Sequence, residues 1–174
     1  VCNEGVYACS GGQSVCINDG PSLFLPADDV GDVLYSSQGV SGFGHIAQLK
    51  GALDFTTGQR GNAWLLDGVD DYVTVPAAGS LTLGQKFTVA LSFYWTGTGS
   101  VSLLESTTGD CTDFGLRINP SGAAYALVEQ SKCSLKSILT GAMITKNAWH
   151  HLALTADGST FKIYLDGALK GSAA

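Results

Sequence analysis

The chain is predicted to be an antiparallel all-β sandwich, and three observations carry that prediction. Glycine is abundant and proline scarce, 23 against 4 in 174 residues, and the glutamates are only Glu4, Glu105 and Glu129. This composition fits short strands joined by glycine turns better than helices, which need long runs of good helix formers. In KFTVALSFYW the apolar Phe87, Val89, Leu91, Phe93 and Trp95 alternate with Thr88, Ala90, Ser92 and Tyr94, the period of a half-buried strand. Turn residues then recur at short spacing, at Thr96-Gly97-Thr98-Gly99, Pro120-Ser121-Gly122, Asp157-Gly158 and Asp166-Gly167, as a sandwich or barrel requires.

Along the chain, residues 1–20 combine cysteines and turn formers with little apolar periodicity and read as a stapled N-terminal extension outside the core. Residues 21–174 read as the sandwich. In their first part SLFLP is a strand, DDVGD a turn, SSQGVSGFGH a glycine loop and AQLKGALDF a further strand. Alternation is clearer afterwards, in DYVTVP, KFTVALSFYW, SVSLLE, DFGLRIN, AAYALVE, AWHHLALTA and TFKIYLDG. Asp157-Gly158 is expected to make a hairpin turn, since consecutive positive-φ positions favour Asp and Gly.

A formal charge of −6 and a scatter of nine Lys and Arg exclude a nucleic-acid partner, because neutralising phosphates takes a basic patch. An anionic membrane surface is disfavoured for the same reason. No apolar run reaches the roughly 18 residues of a membrane-spanning helix, so membrane insertion is not expected. The start on Val1 is read as a processed product or a fragment. Cys2, Cys9, Cys16, Cys111 and Cys133 lack the paired C-x-x-C spacing of zinc or redox sites and are read as disulfides, hence an oxidising, extracellular or cell-surface location. Cys111 and Cys133 stand at the two ends of a hairpin-like stretch and form one expected pair. One pair among Cys2, Cys9 and Cys16 leaves a fifth cysteine free or bonded to another chain. No N-x-S/T sequon occurs, so standard N-glycosylation is excluded and O-glycosylation stays open.

GQRGNAWLLDGVDDYVTVP, Gly58 to Pro76, and NAWHHLALTADGSTFKIYLDGALKG, Asn147 to Gly171, resemble the laminin-G-like, concanavalin-A-like family. The first is similar to its strand-turn-strand around FDGVDDYV, with Leu66 in place of the usual Phe. The second is similar to its W-h-H-v-A and Y-v-D/N-G hairpin. The resemblance, counting the weaker stretch from Pro21 to Asp54, covers residues 21–174 and implies a jelly-roll sandwich. It also implies closing strands beyond the YLDG hairpin that this sequence lacks, either because those residues are clipped or because the edge is completed by the N-terminal extension or by a neighbouring copy.

Glucanases of this superfamily carry an E-x-D-x-x-E strand that aims two carboxylates at the sugar, whereas none of Glu4, Glu105 and Glu129 is followed by x-Asp. No G-x-S-x-G or phosphate-cradling loop is present, so the chain is not expected to be an enzyme. His150 and His151 are neighbours on a strand, point to opposite faces and do not share a metal; packing against Trp149 is the expected role, and His45 has no visible partner. The acidic groups Asp28, Asp29 and Asp32, and Asp67, Asp70 and Asp71, are candidate calcium ligands, with a turn-capping role for Asp67 and Asp70 as the alternative. Calcium is the only cofactor considered. Tyr94, Tyr125 and Tyr164 fall on the polar parity of their strands and are candidate platforms for sugar rings.

The expected function is therefore a non-catalytic extracellular recognition or adhesion module, binding glycan or an extracellular protein through its loops or concave sheet. Two alternatives stand beside it. One is a structural subunit of an extracellular filament built by edge complementation between copies, and the other an accessory domain of a secreted glycan-active enzyme.

Overall fold

The computed structural model describes residues 7–10, 13–16, 25, 27, 33–35, 46–76, 83–97, 99–108, 111–131 and 134–174. The chain divides into two compact units, Val1–Thr82 and Leu83–Ala174; this division lies inside the expected 21–174 domain. The expected boundary after residue 20 falls among residues outside the described ones.

In the first unit β1 (Tyr7–Ser10) and β2 (Gln13–Cys16) form a hairpin, β3 (Val33–Tyr35), β4 (Ile46–Lys50) and β7 (Tyr72–Thr74) a three-stranded sheet, and β5 (Asp54–Thr57) and β6 (Asn62–Leu65) a second hairpin. The single strand expected over AQLKGALDF is instead two. Gly51 takes φ +80, a conformation that L side chains rarely adopt, and the chain turns there between β4 and β5. Leu25 lies outside any strand, and the rest of the expected SLFLP strand apart from it falls outside the described residues.

The second unit holds β8 (Lys86–Tyr94), β9 (Val101–Thr108), β10 (Cys111–Ile118), β11 (Ala123–Ser131), β12 (Ser134–Met143), β13 (Trp149–Asp157), β14 (Phe161–Leu165) and β15 (Ala168–Ala173). They make two antiparallel four-stranded sheets, ordered β12-β11-β10-β9 and β15-β14-β13-β8. The described residues contain no helix. One cluster of side chains from both sheets fills the space between them, among them Phe93, Phe114, Leu116, Ile118, Val128, Ile138, Leu152, Leu154, Ile163 and Leu165. Leu116, Ile118, Val128, Leu152, Leu154 and Ile163 are fully buried, and each stabilises the fold by about 1.5–3 kcal/mol relative to leaving it exposed. The expected all-β jelly-roll sandwich is therefore what the chain forms.

The alternation read in the sequence positions these residues. In β8 the apolar Phe87, Val89, Leu91 and Phe93 face the core and Thr88, Ala90, Ser92 and Tyr94 are exposed. The edge beside β14 is taken by β15. β15 then lies against β12 of the facing sheet: a Cβ on Gly171 would sit 2.6 Å from the Leu139 carbonyl oxygen. Asp157-Gly158 joins β13 to β14 as expected, but without consecutive positive-φ positions. Asp166 and Gly167 both have positive φ, +52 and +79, whereas at the Asp157-Gly158 turn only Gly158 does, at +96. The two-residue turn with consecutive positive φ therefore joins β14 to β15.

Candidate functional site

The three candidate tyrosines lie on two different sheets of the second unit. Tyr94 on β8 and Tyr164 on β14 share the outer face of one sheet. Tyr94 pairs in register with Trp149, their rings 5.7 Å apart, while Tyr164 is level with Ala153 and Ala90. Four strand residues separate those levels, roughly 13 Å. Tyr125 on β11 lies on the outer face of the other sheet, between Arg117 of β10 and Leu139 of β12.

Around Tyr125 the polar groups converge. Glu105 accepts hydrogen bonds from Arg117 Nη2 at 2.5 Å, Thr112 Oγ1 at 2.9 Å and Ser102 Oγ at 2.6 Å. A β-bulge makes this possible. Leu116 pairs with Leu104 and Arg117 with Ser102, so Leu103 is an extra residue without a partner. The bulge brings Ser102 and Glu105, three positions apart, to the same face, one of the uses to which bulges are put. Gly115 provides the floor: an added Cβ would lie 3.4 Å from Arg117 Nε, so the guanidinium stem runs over the glycine. Burial alone would raise the Glu105 pKa, but Ser102, Thr112 and Arg117 outweigh it and hold the carboxyl below its usual range. Burial likewise works against the Arg117 charge, and Glu105 and Tyr125 outweigh it and raise the Arg117 pKa. Arg117 Nε is buried with no acceptor among the described residues. Beside this fixed ion pair, Leu139 and Leu135 of β12 are 58 % and 43 % exposed. The result is a sheet face with a rigid charged centre, a tyrosine and an apolar margin.

Sequence reading found Tyr125 and missed Glu105, Ser102 and Arg117, because strict alternation puts residues three apart on opposite faces.

The acidic and histidine clusters are explained by local structure. Asp67 Oδ1 accepts the Val69 and Asp70 backbone N–H groups at 2.8 and 3.4 Å, and Asp71 Oδ2 accepts the Asp67 N–H at 3.0 Å. The Val69 N–H is the largest influence and lowers the Asp67 pKa. Oxygens of Asp67, Asp70 and Asp71 lie within 4.8 Å of one another, near enough to share an ion, but they are three donors against the six to eight that calcium takes. Two of the three already accept backbone hydrogen bonds, and Asp71 Oδ1 is buried against Gly51. Asp28, Asp29 and Asp32 fall outside the described residues.

His150 does not pack on Trp149 as expected. Trp149 packs on Tyr94, while the His150 ring lies 5.8 Å from Phe93, with Nδ1 2.8 Å from Asp166 Oδ2 and Nε2 3.0 Å from the Thr145 carbonyl. His151, on the opposite face, lends its backbone N–H to Asp166 Oδ1 at 2.9 Å. His45, Cys2 and Cys133 lie outside the described residues, and of Cys9, Cys16 and Cys111 only the backbone is described. The expected disulfides therefore lie outside what the structure describes.

These hydrogen bonds set an acid limit. At Asp157 the Ser159 backbone N–H, then the Ser159 hydroxyl and the Thr160 N–H, lower the pKa from 3.8 to about 2. At Asp166 burial raises the pKa, but the His151 N–H and His150 outweigh it and the net shift is downward. A carboxyl whose folded pKa is depressed contributes stability that is present above its unfolded pKa and is lost as pH falls through the folded one. The thermal midpoint followed by circular dichroism is expected to hold down to about pH 4 and to fall below it. Asp157→Asn should flatten part of that fall; an unchanged acid limb would contradict the assignment.

The family model for the concanavalin A-like lectin/glucanases superfamily matches residues 67–174. A comparison with proteins of curated function gives no match. Among solved structures the chain is similar to domain 4 of AbnA, a GH43 extracellular arabinanase from Geobacillus stearothermophilus, in complex with arabinotriose. Identity is 22 %, coverage 71 % of this chain and 59 % of that one, and the TM-score 0.43. The chain thus spans less than two thirds of that domain's length.

Proposed function

We propose that this chain, which belongs to the concanavalin A-like lectin/glucanases superfamily, is a non-catalytic extracellular recognition module that binds glycan across the outer face of the β9–β12 sheet. The observation that carries the reading is the fixed Arg117–Glu105 pair beside Tyr125 on a glycine floor. A sugar offers hydroxyls that need donors and acceptors held in place, and an apolar ring face that needs a flat partner. Arg117 supplies planar N–H donors in a fixed fork, Ser102 and Thr112 supply hydroxyls, and Tyr125 with Leu139 supplies the flat surface. A glycosidase general acid needs a raised pKa; Glu105 is held below its usual range by three donors, which supports binding rather than turnover.

Affinity electrophoresis against a panel of neutral and acidic polysaccharides tests this. The chain should be retarded by at least one of them, equally in calcium and in chelator. Unretarded migration on every polysaccharide would overturn it.

A further inference from the structure

His150 stands between two hydrogen-bond acceptors. Its Nδ1 lies 2.8 Å from Asp166 Oδ2 and its Nε2 lies 3.0 Å from the Thr145 carbonyl oxygen. Neither acceptor has a proton to give: a carbonyl oxygen carries none, and the Asp166 carboxyl is held ionised below its usual range. A neutral imidazole offers one N–H and the imidazolium two, so both contacts are hydrogen bonds only when the ring holds both protons. We infer that His150 is a pH-operated latch: as the imidazolium it ties the β12–β13 loop to the β14–β15 turn, and on losing one proton it releases the loop at Thr145.

The Asp166 side of the latch is the fixed one. Asp166 Oδ1 accepts the His151 N–H at 2.9 Å, and the Asp166 N–H donates to the His151 carbonyl at 2.8 Å, so the turn is bound to β13 independently of the ring. A hydrogen bond to a carboxylate is also stronger than one to a neutral carbonyl. The single proton of the neutral ring therefore stays on Nδ1, and Nε2 turns a lone pair on the Thr145 carbonyl oxygen. The His150 side chain is only 11 % exposed, so water does not readily come between them. The loop yields instead, because Thr145, Lys146 and Asn147 are exposed. Two backbone hydrogen bonds bound the moving part, Ile144 N–H to the Gly122 carbonyl at 2.8 Å and Asn147 N–H to the Trp95 carbonyl at 3.0 Å.

The groups that face the ring come from three elements: Asp166 from the β14–β15 turn, the Thr145 carbonyl from the β12–β13 loop, and the uncharged Phe93 ring from β8. Lys146 holds its ammonium 5.0 Å from the Trp95 ring, and His151 lies on the opposite face of β13. The sign follows from the proton count. The loop is docked on the acid side of the ring's titration and is freed as pH rises through it.

The test is NMR of the chain labelled with nitrogen-15, titrated between about pH 5 and 8, the range in which histidines change charge. At the acid end both ring nitrogens of His150 should read as N–H. On raising the pH, the amides of Thr145, Lys146 and Asn147 should shift with the same midpoint as the His150 ring. Asp166→Asn separates the latch from mere proximity to a changing charge. Position 166 has φ +52, which Asn tolerates as Asp does. The Asn oxygen can accept the His151 N–H, and its amide nitrogen then donates to His150 Nδ1. A neutral ring protonated on Nε2 now serves Thr145, so in this variant the three loop amides should keep their docked positions across the whole range. A single ring N–H at the acid end, loop amides indifferent to the His150 titration, or an Asp166→Asn loop that moves with pH as the parent's does would each overturn the proposal.

Discussion

Gly171→Ala should lower the stability of the chain by about 1–3 kcal/mol, the usual cost of forcing extra atoms into a packed site, and Gly171→Val should cost more. The reason lies in how β15 meets β12. A Cβ at position 171 would sit 2.6 Å from the Leu139 carbonyl oxygen and 3.3 Å from methyls of Ile138 and Ile163. That oxygen belongs to the backbone of a strand paired with β11, so it cannot move aside as a flexible side chain would. Ile138 and Ile163 are themselves core residues from the two facing sheets. The substitution must therefore lift β15 or displace β12, and Lys136, which donates to the Ala174 carbonyl, would lose its partner in the first case. Gly84→Ala is the matched control: no described residue lies within 4 Å of its added Cβ, so it should be neutral or slightly stabilising. Urea denaturation of the two variants against the parent decides the matter. A Gly171→Ala variant as stable as Gly84→Ala would show that β15 is not seated on β12.

Arg117→Ala should weaken glycan binding by about 10–100-fold, as truncating a central binding residue does, with little change in stability. Glu105 keeps its Ser102 and Thr112 donors in that variant, and the Arg117 side chain is 29 % exposed, so no charge is left buried and bare. Arg117→Lys should not restore affinity, because a point charge on a flexible stem cannot reproduce a planar fork laid over Gly115. Tyr125→Ala should weaken binding as well. Tyr94→Ala, on the outer face of the other sheet, should leave it unchanged. Isothermal titration calorimetry with the retained polysaccharide supplies the numbers. Equal losses in Tyr94→Ala and Tyr125→Ala would contradict placement on the β9–β12 face.

Much of the sandwich was legible because its strands obey a simple period. In β8 and β14 apolar residues facing the core alternate with residues on the outer face, and each parity matches the observed faces; in β13 Leu152 and Leu154 obey it while Trp149 lies on the outer parity beside Tyr94. β12 was not legible because both its faces carry apolar residues. Ile138 points inward, Leu135, Leu139 and Met143 are exposed, and the buried Thr140 satisfies its hydroxyl on the Ala124 carbonyl at 2.8 Å. β15 was missed because its one large apolar residue, Leu169, is 55 % exposed while its seat on β12 is a glycine.

The site was half legible, for a related reason. Parity assigned Tyr94, Tyr125 and Tyr164 to outer faces but cannot say which sheet of a sandwich a strand joins, so three residues read as alike lie on two surfaces. Glu105 and Arg117 were hidden by the bulge at Leu103, which breaks the period at the place where the side chains converge. His150 and Asp166 are sixteen positions apart, and only the register of β13 against β14 brings them within 2.8 Å.

The central claim, that glycan is held on the β9–β12 face, is tested most directly by mapping the retained polysaccharide onto the labelled chain by amide chemical shifts. Ser102, Thr112, Gly115, Arg117 and Tyr125 should move together as oligosaccharide is added. Shifts confined to Tyr94, Trp149 and Tyr164, or to neither surface, would contradict the account.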